Sequence, residues 1–151
     1  MATRVFECVG EPDMLAFGGR VAALLPDRAF VALHGDLGAG KSVFTRGIGQ
    51  AFGIFDMPSP TFTIVAEHNE GTRQLLHFDA YRLSDADELY AIGFDDYVKR
   101  DAVIAMEWAE LVQEALPKKR LDVTIVGSGE SPRKITVTGI GEAYEKLVDM
   151  L

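Results

Sequence analysis

The 151-residue sequence predicts a single α/β domain of the phosphate-loop nucleotide-binding type, with a mixed parallel and antiparallel sheet flanked by helices. Three observations carry that prediction. Gly35, Gly40, Lys41 and Ser42 fit the pattern G-x-x-x-x-G-K-[ST], and they stand between an apolar strand pattern and a helical one, the context this motif requires. The runs Ala29 to Leu33 and Ala102 to Met106 contain no polar residue, as expected of strands buried on both faces. Two further segments pattern as hairpins, one turning at Asn69-Glu70-Gly71 and one at Gly127-Ser128-Gly129-Glu130. With no internal repeat and no linker, residues 1–151 read as one domain.

The composition excludes several classes. With 48% hydrophobic and 25% charged residues the chain has the balance of an ordinary globule, and no apolar run nears the roughly 18 residues of a membrane span. Glu7 interrupts the N-terminal stretch before a secretory core can form, and the single Cys8 has no internal partner, so a cytoplasmic protein is expected. A net charge of −8 argues against direct grip on nucleic acid, because Lys and Arg supply most of that affinity. The one basic cluster, Lys118-Lys119-Arg120, is assigned to a solvated loop.

The elements follow in order. Thr3 to Val9 reads as a strand, and Asp13 as the cap of a helix whose Met14, Phe17, Val21, Leu24 and Leu25 share a face until Pro26. Ala29 to Leu33 forms the strand before the glycine loop; Phe44, Ile48, Ala51 and Phe52 then make the inner face of a helix ended by Gly53. Pro58 and Pro60 force an extended lead-in to a strand over Phe62 to Glu67, paired with Arg73 to Phe78. Ser84, with Asp87 at the reciprocal position, is the expected cap of a helix ended by Gly93, and a short helix covers Asp95 to Val98. Beyond the strand ending at Glu107-Trp108, Leu121 to Val126 pairs with Lys134 to Thr138. Ile140, Tyr144, Leu147, Val148 and Leu151 have the spacing of a terminal helix.

The glycine loop carries the chemistry. A turn closing on a polyphosphate directs consecutive N–H groups inward, which requires glycine where a side chain would block approach or φ is positive; Gly35, Gly38 and Gly40 supply those positions. Gly38, Ala39, Gly40, Lys41, Ser42 and Val43 are therefore assigned to the nucleotide, with Lys41 bridging β and γ oxygens and the Ser42 hydroxyl on Mg²⁺. Such sites need an acid at a neighbouring strand end, and both Asp79 and Glu107 close apolar runs. The more uniformly apolar Val103 to Met106 favours Glu107 as the metal-side residue, leaving Asp79 to support or to orient water. Thr61 lies where switch proteins place a hydroxyl that senses γ-phosphate, and equally where a proline-flanked strand begins. Trp108 reads as packing, and His34, His68 and His77 lack metal-ligand spacing and read as structural.

At this point the chain resembles the TsaE family. Gly35-Asp36-Leu37-Gly38-Ala39-Gly40-Lys41-Ser42 with Phe44, Arg46 and Gly47 occurs in that family's order and spacing. So do Ser59-Pro60-Thr61-Phe62-Thr63, His77-Phe78-Asp79-Ala80-Tyr81-Arg82-Leu83, Glu88-Leu89 with Gly93 and Asp96-Tyr97, and Glu107-Trp108. The likeness spans about Ala29 to Trp108 and thins beyond, with Ser42 standing where many members carry Thr. It implies a small ATPase required for threonylcarbamoyladenosine in tRNA, binding ATP with Mg²⁺, weak alone, and acting with the TsaB and TsaD proteins. TsaD would perform the transfer, and tRNA would be held by those partners. By motif, Lys41 and Ser42 would hold phosphate and metal, Glu107 would lie at the metal, Asp79 and Thr61 by the γ-phosphate, and Arg133 against the nucleotide.

Two rival readings differ in what they require. A small-molecule kinase on the same loop would carry an arginine-bearing lid, and no such helix is visible after Trp108. A GTP switch would carry Asn-Lys-x-Asp, whereas the only asparagine, Asn69, precedes Glu70, which favours ATP.

Overall fold

The computed structural model describes every residue except Ser59, Thr61 and Phe62. Its strands are β1 (Ala2–Cys8), β2 (Ala29–His34), β3 (Val65–His68), β4 (Leu75–Asp79), β5 (Val103–Glu107), β6 (Arg120–Val126) and β7 (Arg133–Ile140). They form one seven-stranded sheet in the order β1-β7-β6-β2-β5-β4-β3. The two wholly apolar runs occupy adjacent places near its middle. β2 pairs in parallel with β5 on one side and β6 on the other, and β4 pairs in parallel with β5. Both expected hairpins are antiparallel, β3 with β4 and β6 with β7, and β1 closes the sheet beside β7. The sheet is therefore mixed, as the two kinds of strand pattern predict.

The helices are α1 (Gly10–Leu24), α2 (Lys41–Ala51), α3 (Ala86–Ala91), α4 (Phe94–Tyr97) and α5 (Glu142–Met150), with a 3-10 segment over Ala109–Ala115. One face of the sheet packs Val31, Leu33, Val103 and Ala105 against Phe17, Val21, Phe44, Ile48 and Leu147 of α1, α2 and α5. The other face packs Ala32, Phe78, Ile104 and Met106 against Leu89, Phe94 and Val112. Alternate residues of β2 and β5 thus enter different cores, which is why both strands are apolar up to their last residues, His34 and Glu107. No helix among the described residues is long and apolar enough to cross a membrane.

Several local expectations are corrected. Helix α1 begins at Gly10, ahead of Asp13, because Pro12 falls in the first turn, where its missing N–H is no loss. Asp13 works in the opposite sense to a cap: its carboxylate accepts from the Val9 N–H at 2.9 Å. The cap of α3 is Asp85, not Ser84, and accepts from the Glu88 N–H at 3.1 Å, while Glu88 reaches back to the Ser84 N–H; the reciprocal arrangement is present one residue later. Ile140 belongs to β7, paired with Arg120, because Gly141 separates it from α5. Arg120 opens β6, donating to Asp122 and to the Pro117 carbonyl, so only Lys118 and Lys119 of the basic cluster are exposed.

Helices α1 and α2 meet backbone to backbone. A Cβ on Gly47 would stand 2.4 Å from the Leu15 carbonyl oxygen, and the neighbouring turn is main chain that cannot rotate away. Gly47→Ala is therefore expected to cost about 1–3 kcal/mol as an overpacked contact. Melting would report this as a fall on the order of 5 °C, and an unchanged midpoint would mean that the two helices are not in backbone contact.

Candidate functional site

The glycine loop leaves the C-terminal end of β2 and runs directly into α2, where ligands of open α/β sheets collect. Gly35 has φ 144°, and a Cβ there would lie 2.5 Å from the Ile125 carbonyl oxygen of β6, so only glycine lets the chain turn this close to the neighbouring strand. Gly38 and Gly40 are also at positive φ, and Gly40 stands at the N-cap of α2, whose free N–H groups face the loop. The Ala39 N–H closes the turn on the Asp36 carbonyl at 3.0 Å. The result is an open cradle at a helix N-terminus.

Lys41 is almost fully buried and bends back over this cradle. Its Nζ donates to the Gly35 carbonyl at 2.6 Å and lies 3.6 Å from the centre of the Trp108 ring. Trp108, the only described non-glycine residue at positive φ (58°), also packs against Tyr81 with ring centres 5.0 Å apart. The sequence reading gave Trp108 packing alone; its contact with the loop lysine ties that packing to the site. Thr45 Oγ1 donates to the Lys41 carbonyl at 3.0 Å and fixes the first turn of α2.

Glu107 ends β5, the strand beside β2, and so faces the start of α2. The Ser42 hydroxyl lies 3.4 Å and 3.3 Å from its two carboxylate oxygens, although 65 residues separate them in sequence. Asp79 ends β4 and is the register partner of Glu107. Partial burial raises the Asp79 carboxyl pKa above its usual range; the Tyr81 N–H, donating at 2.9 Å, opposes that shift, and the Glu107 charge adds to it. The two acids, Lys41, Ser42 and Trp108 line one cavity of about 310 Å³.

A second cavity of about 260 Å³ opens on the far side of the loop, sharing Gly38, Gly40 and Val43 with the first and bounded by Glu11, Met14 and Arg133. Arg133, at the start of β7, points its guanidinium at the loop. Nε donates to the Ala39 carbonyl at 2.9 Å and Nη2 to Gly38 at 3.3 Å, with further bonds to Gly129 and Ser131. It thus ties the start of β7 to two carbonyls of the loop. Thr61 lies outside the described residues.

Two histidines hold positions that their sequence context did not disclose. His34, the last residue before the loop, is held between Glu110 at 3.1 Å and Asp122 at 3.4 Å. Its pKa is raised chiefly by the hydrogen bond to Asp122, against the effect of burial. His77 is buried and places Nε2 2.6 Å from Glu107 Oε2. The available signal was the strand period of two, which puts His77 on the same face of β4 as Asp79.

A family model described as "Threonylcarbamoyl adenosine biosynthesis protein TsaE" matches residues 9–135. The chain belongs to the TsaE family. It is 40% identical over 144 residues to the tRNA threonylcarbamoyladenosine biosynthesis protein TsaE of Bacillus subtilis, covering 95% of this chain and 90% of that one. To the Haemophilus influenzae protein of the same name it is 41% identical over 121 residues, 76% of this chain and 77% of that one. The crystal structure of Bacillus subtilis YdiB superposes with a TM-score of 0.85 at 34% identity, over 98% of this chain and 93% of that one. The TsaE match includes the loop, both strand-end acids and Arg133, so all the residues assembled at the site fall within it.

The donor set fits a magnesium nucleotide. Among the described residues no three His, Cys, Asp or Glu side chains converge as a metal cage. What converges is one hydroxyl and two carboxylates beside the N-terminus of α2, the hard and incomplete oxygen set that suits Mg²⁺ shared with phosphate oxygens.

Proposed function

We propose that this TsaE family member binds Mg·ATP at the glycine loop and hydrolyses it slowly by itself. In this reading TsaB and TsaD partners complete the site during synthesis of threonylcarbamoyladenosine in tRNA. The observation that carries the reading is the meeting of Ser42 with Glu107 at the N-terminus of α2, between Lys41 and Asp79. The loop N–H groups and Lys41 bind the β and γ oxygens, with Lys41 exchanging its bond to the Gly35 carbonyl for phosphate. Ser42 and Glu107 would hold Mg²⁺, which when bound would supply positive charge beside the phosphate oxygens. Asp79 is half-buried with a raised pKa, suited to accept a hydrogen bond from the attacking water beside Glu107. The second cavity, across Gly38 and Gly40, offers room for the nucleoside.

The partners follow from the family resemblance, and the charge of the chain agrees with them. At net −8 the chain is poorly suited to hold tRNA directly, so RNA is bound by partner proteins. The test is ATP hydrolysis by the chain alone and mixed with purified TsaB and TsaD, with phosphate release rising at least tenfold in the mixture. No stimulation, together with phosphate transfer to a metabolite, would replace this reading with the kinase.

A further inference from the structure

Glu107 carries the metal-side role in the reading above, yet its carboxylate sits in a largely dry pocket, 6% exposed, at the end of a strand. Something must fix the direction of its oxygens, because a freely rotating carboxylate holds a metal poorly. Ser42 does not do this: its hydroxyl lies 3.4 Å and 3.3 Å from the two oxygens, distances too even to choose between them. His77 does choose. A carboxylate only accepts, so the 2.6 Å contact has the His77 Nε2–H donating to Oε2 alone. The ring is 3% exposed and its other nitrogen, Nδ1, has no hydrogen-bond partner among the described residues. Glu107 is thus the single polar anchor of a buried imidazole, an arrangement that packing alone would fill better with leucine.

We propose that His77 is a positioning residue that locks Glu107 Oε2 through its Nε2–H and so fixes the plane of the carboxylate beside the Ser42 hydroxyl, leaving Oε1, which His77 does not touch, as the oxygen free to meet a metal. The backbone supports this: β4 and β5 pair in parallel with Asp79 opposite Glu107, and the Ala80 N–H donates to the Glu107 carbonyl at 3.1 Å, so main chain and side chain of Glu107 are both held from β4. The inference rests on the Mg·ATP reading of the site.

The experiment measures ATP binding as a function of Mg²⁺ for the unmodified chain, His77→Leu and His77→Gln, with thermal melting of each. His77→Leu keeps the volume but loses the donor, and the apparent Mg²⁺ affinity is expected to fall about 10- to 100-fold, with ATP binding in excess chelator unchanged. In His77→Gln the amide reaches the place of Nε2, and most of that affinity is expected to return. In a Glu107→Ala background His77→Leu should have no further effect on Mg²⁺ dependence. Unchanged Mg²⁺ affinity in His77→Leu, or equal loss in His77→Gln, would overturn the positioning role, whatever the melting points. Failure of the unmodified chain to bind ATP at any Mg²⁺ concentration would instead overturn the nucleotide reading, and this inference with it.

Discussion

Lys41→Ala is expected to remove most of the ATP affinity of this protein. In the structure the Lys41 ammonium hangs over the loop from the Gly35 carbonyl, the point from which the proposed function has it meet phosphate oxygens. Contacts between an ammonium and an anionic oxygen are worth about 1.5–3 kcal/mol, which corresponds to roughly a tenfold to hundredfold loss in affinity. Titration calorimetry with ATP and saturating Mg²⁺ measures it, with a melting curve as the control, since Lys41 is nearly buried and its removal also uncovers the face of the Trp108 ring. If Lys41→Ala bound ATP as tightly as the unmodified chain, the loop would not be a phosphate cradle, and the function proposed for it would fall.

Glu107→Ala is expected to do the reverse, sparing ATP affinity at saturating Mg²⁺ while stopping turnover. Its side chain contacts Ser42 and His77, which in the proposed function is the metal side of the cavity. Removing a group that stabilises developing charge costs about 10²–10³ in kcat, read as phosphate release with and without TsaB and TsaD. Asp79→Asn is the informative companion. Turnover surviving in Glu107→Ala and lost in Asp79→Asn would transfer the metal-side role to Asp79, whose carboxyl is opposite in register.

Much of this was legible because it is local. Gly35, Gly38 and Gly40 are required where they stand by the turn itself, and the uninterrupted apolar runs of β2 and β5 follow from burial on both faces. The preference for Glu107 over Asp79 as the acid beside the loop rested on that apolar run, and the sheet order places β5, not β4, next to β2. The errors were local too, and small: Asp13, Ser84 and Ile140 each lay within a few residues of the true boundary, where capping residues compete for one position. His77 was a different kind of miss. Nothing in Leu76-His77-Phe78 distinguishes a structural histidine from one bound to a functional carboxylate.

By itself, then, the sequence determined the glycine turn, the strand and helix on either side of it, the two candidate acids and the mixed character of the sheet. All of these depend on the conformational demands of neighbouring residues. Only the tertiary structure decided that Ser42 meets Glu107, that Trp108 lies against Lys41, that Arg133 binds the loop from behind and that His77 holds Glu107. Those contacts join segments 30 to 94 residues apart for Ser42, Trp108, Arg133 and His77. They exist because β5 and then β4 lie on one side of β2 and the β6–β7 hairpin lies on the other, a pairing fixed by the burial of the whole sheet and written in no single stretch of the chain.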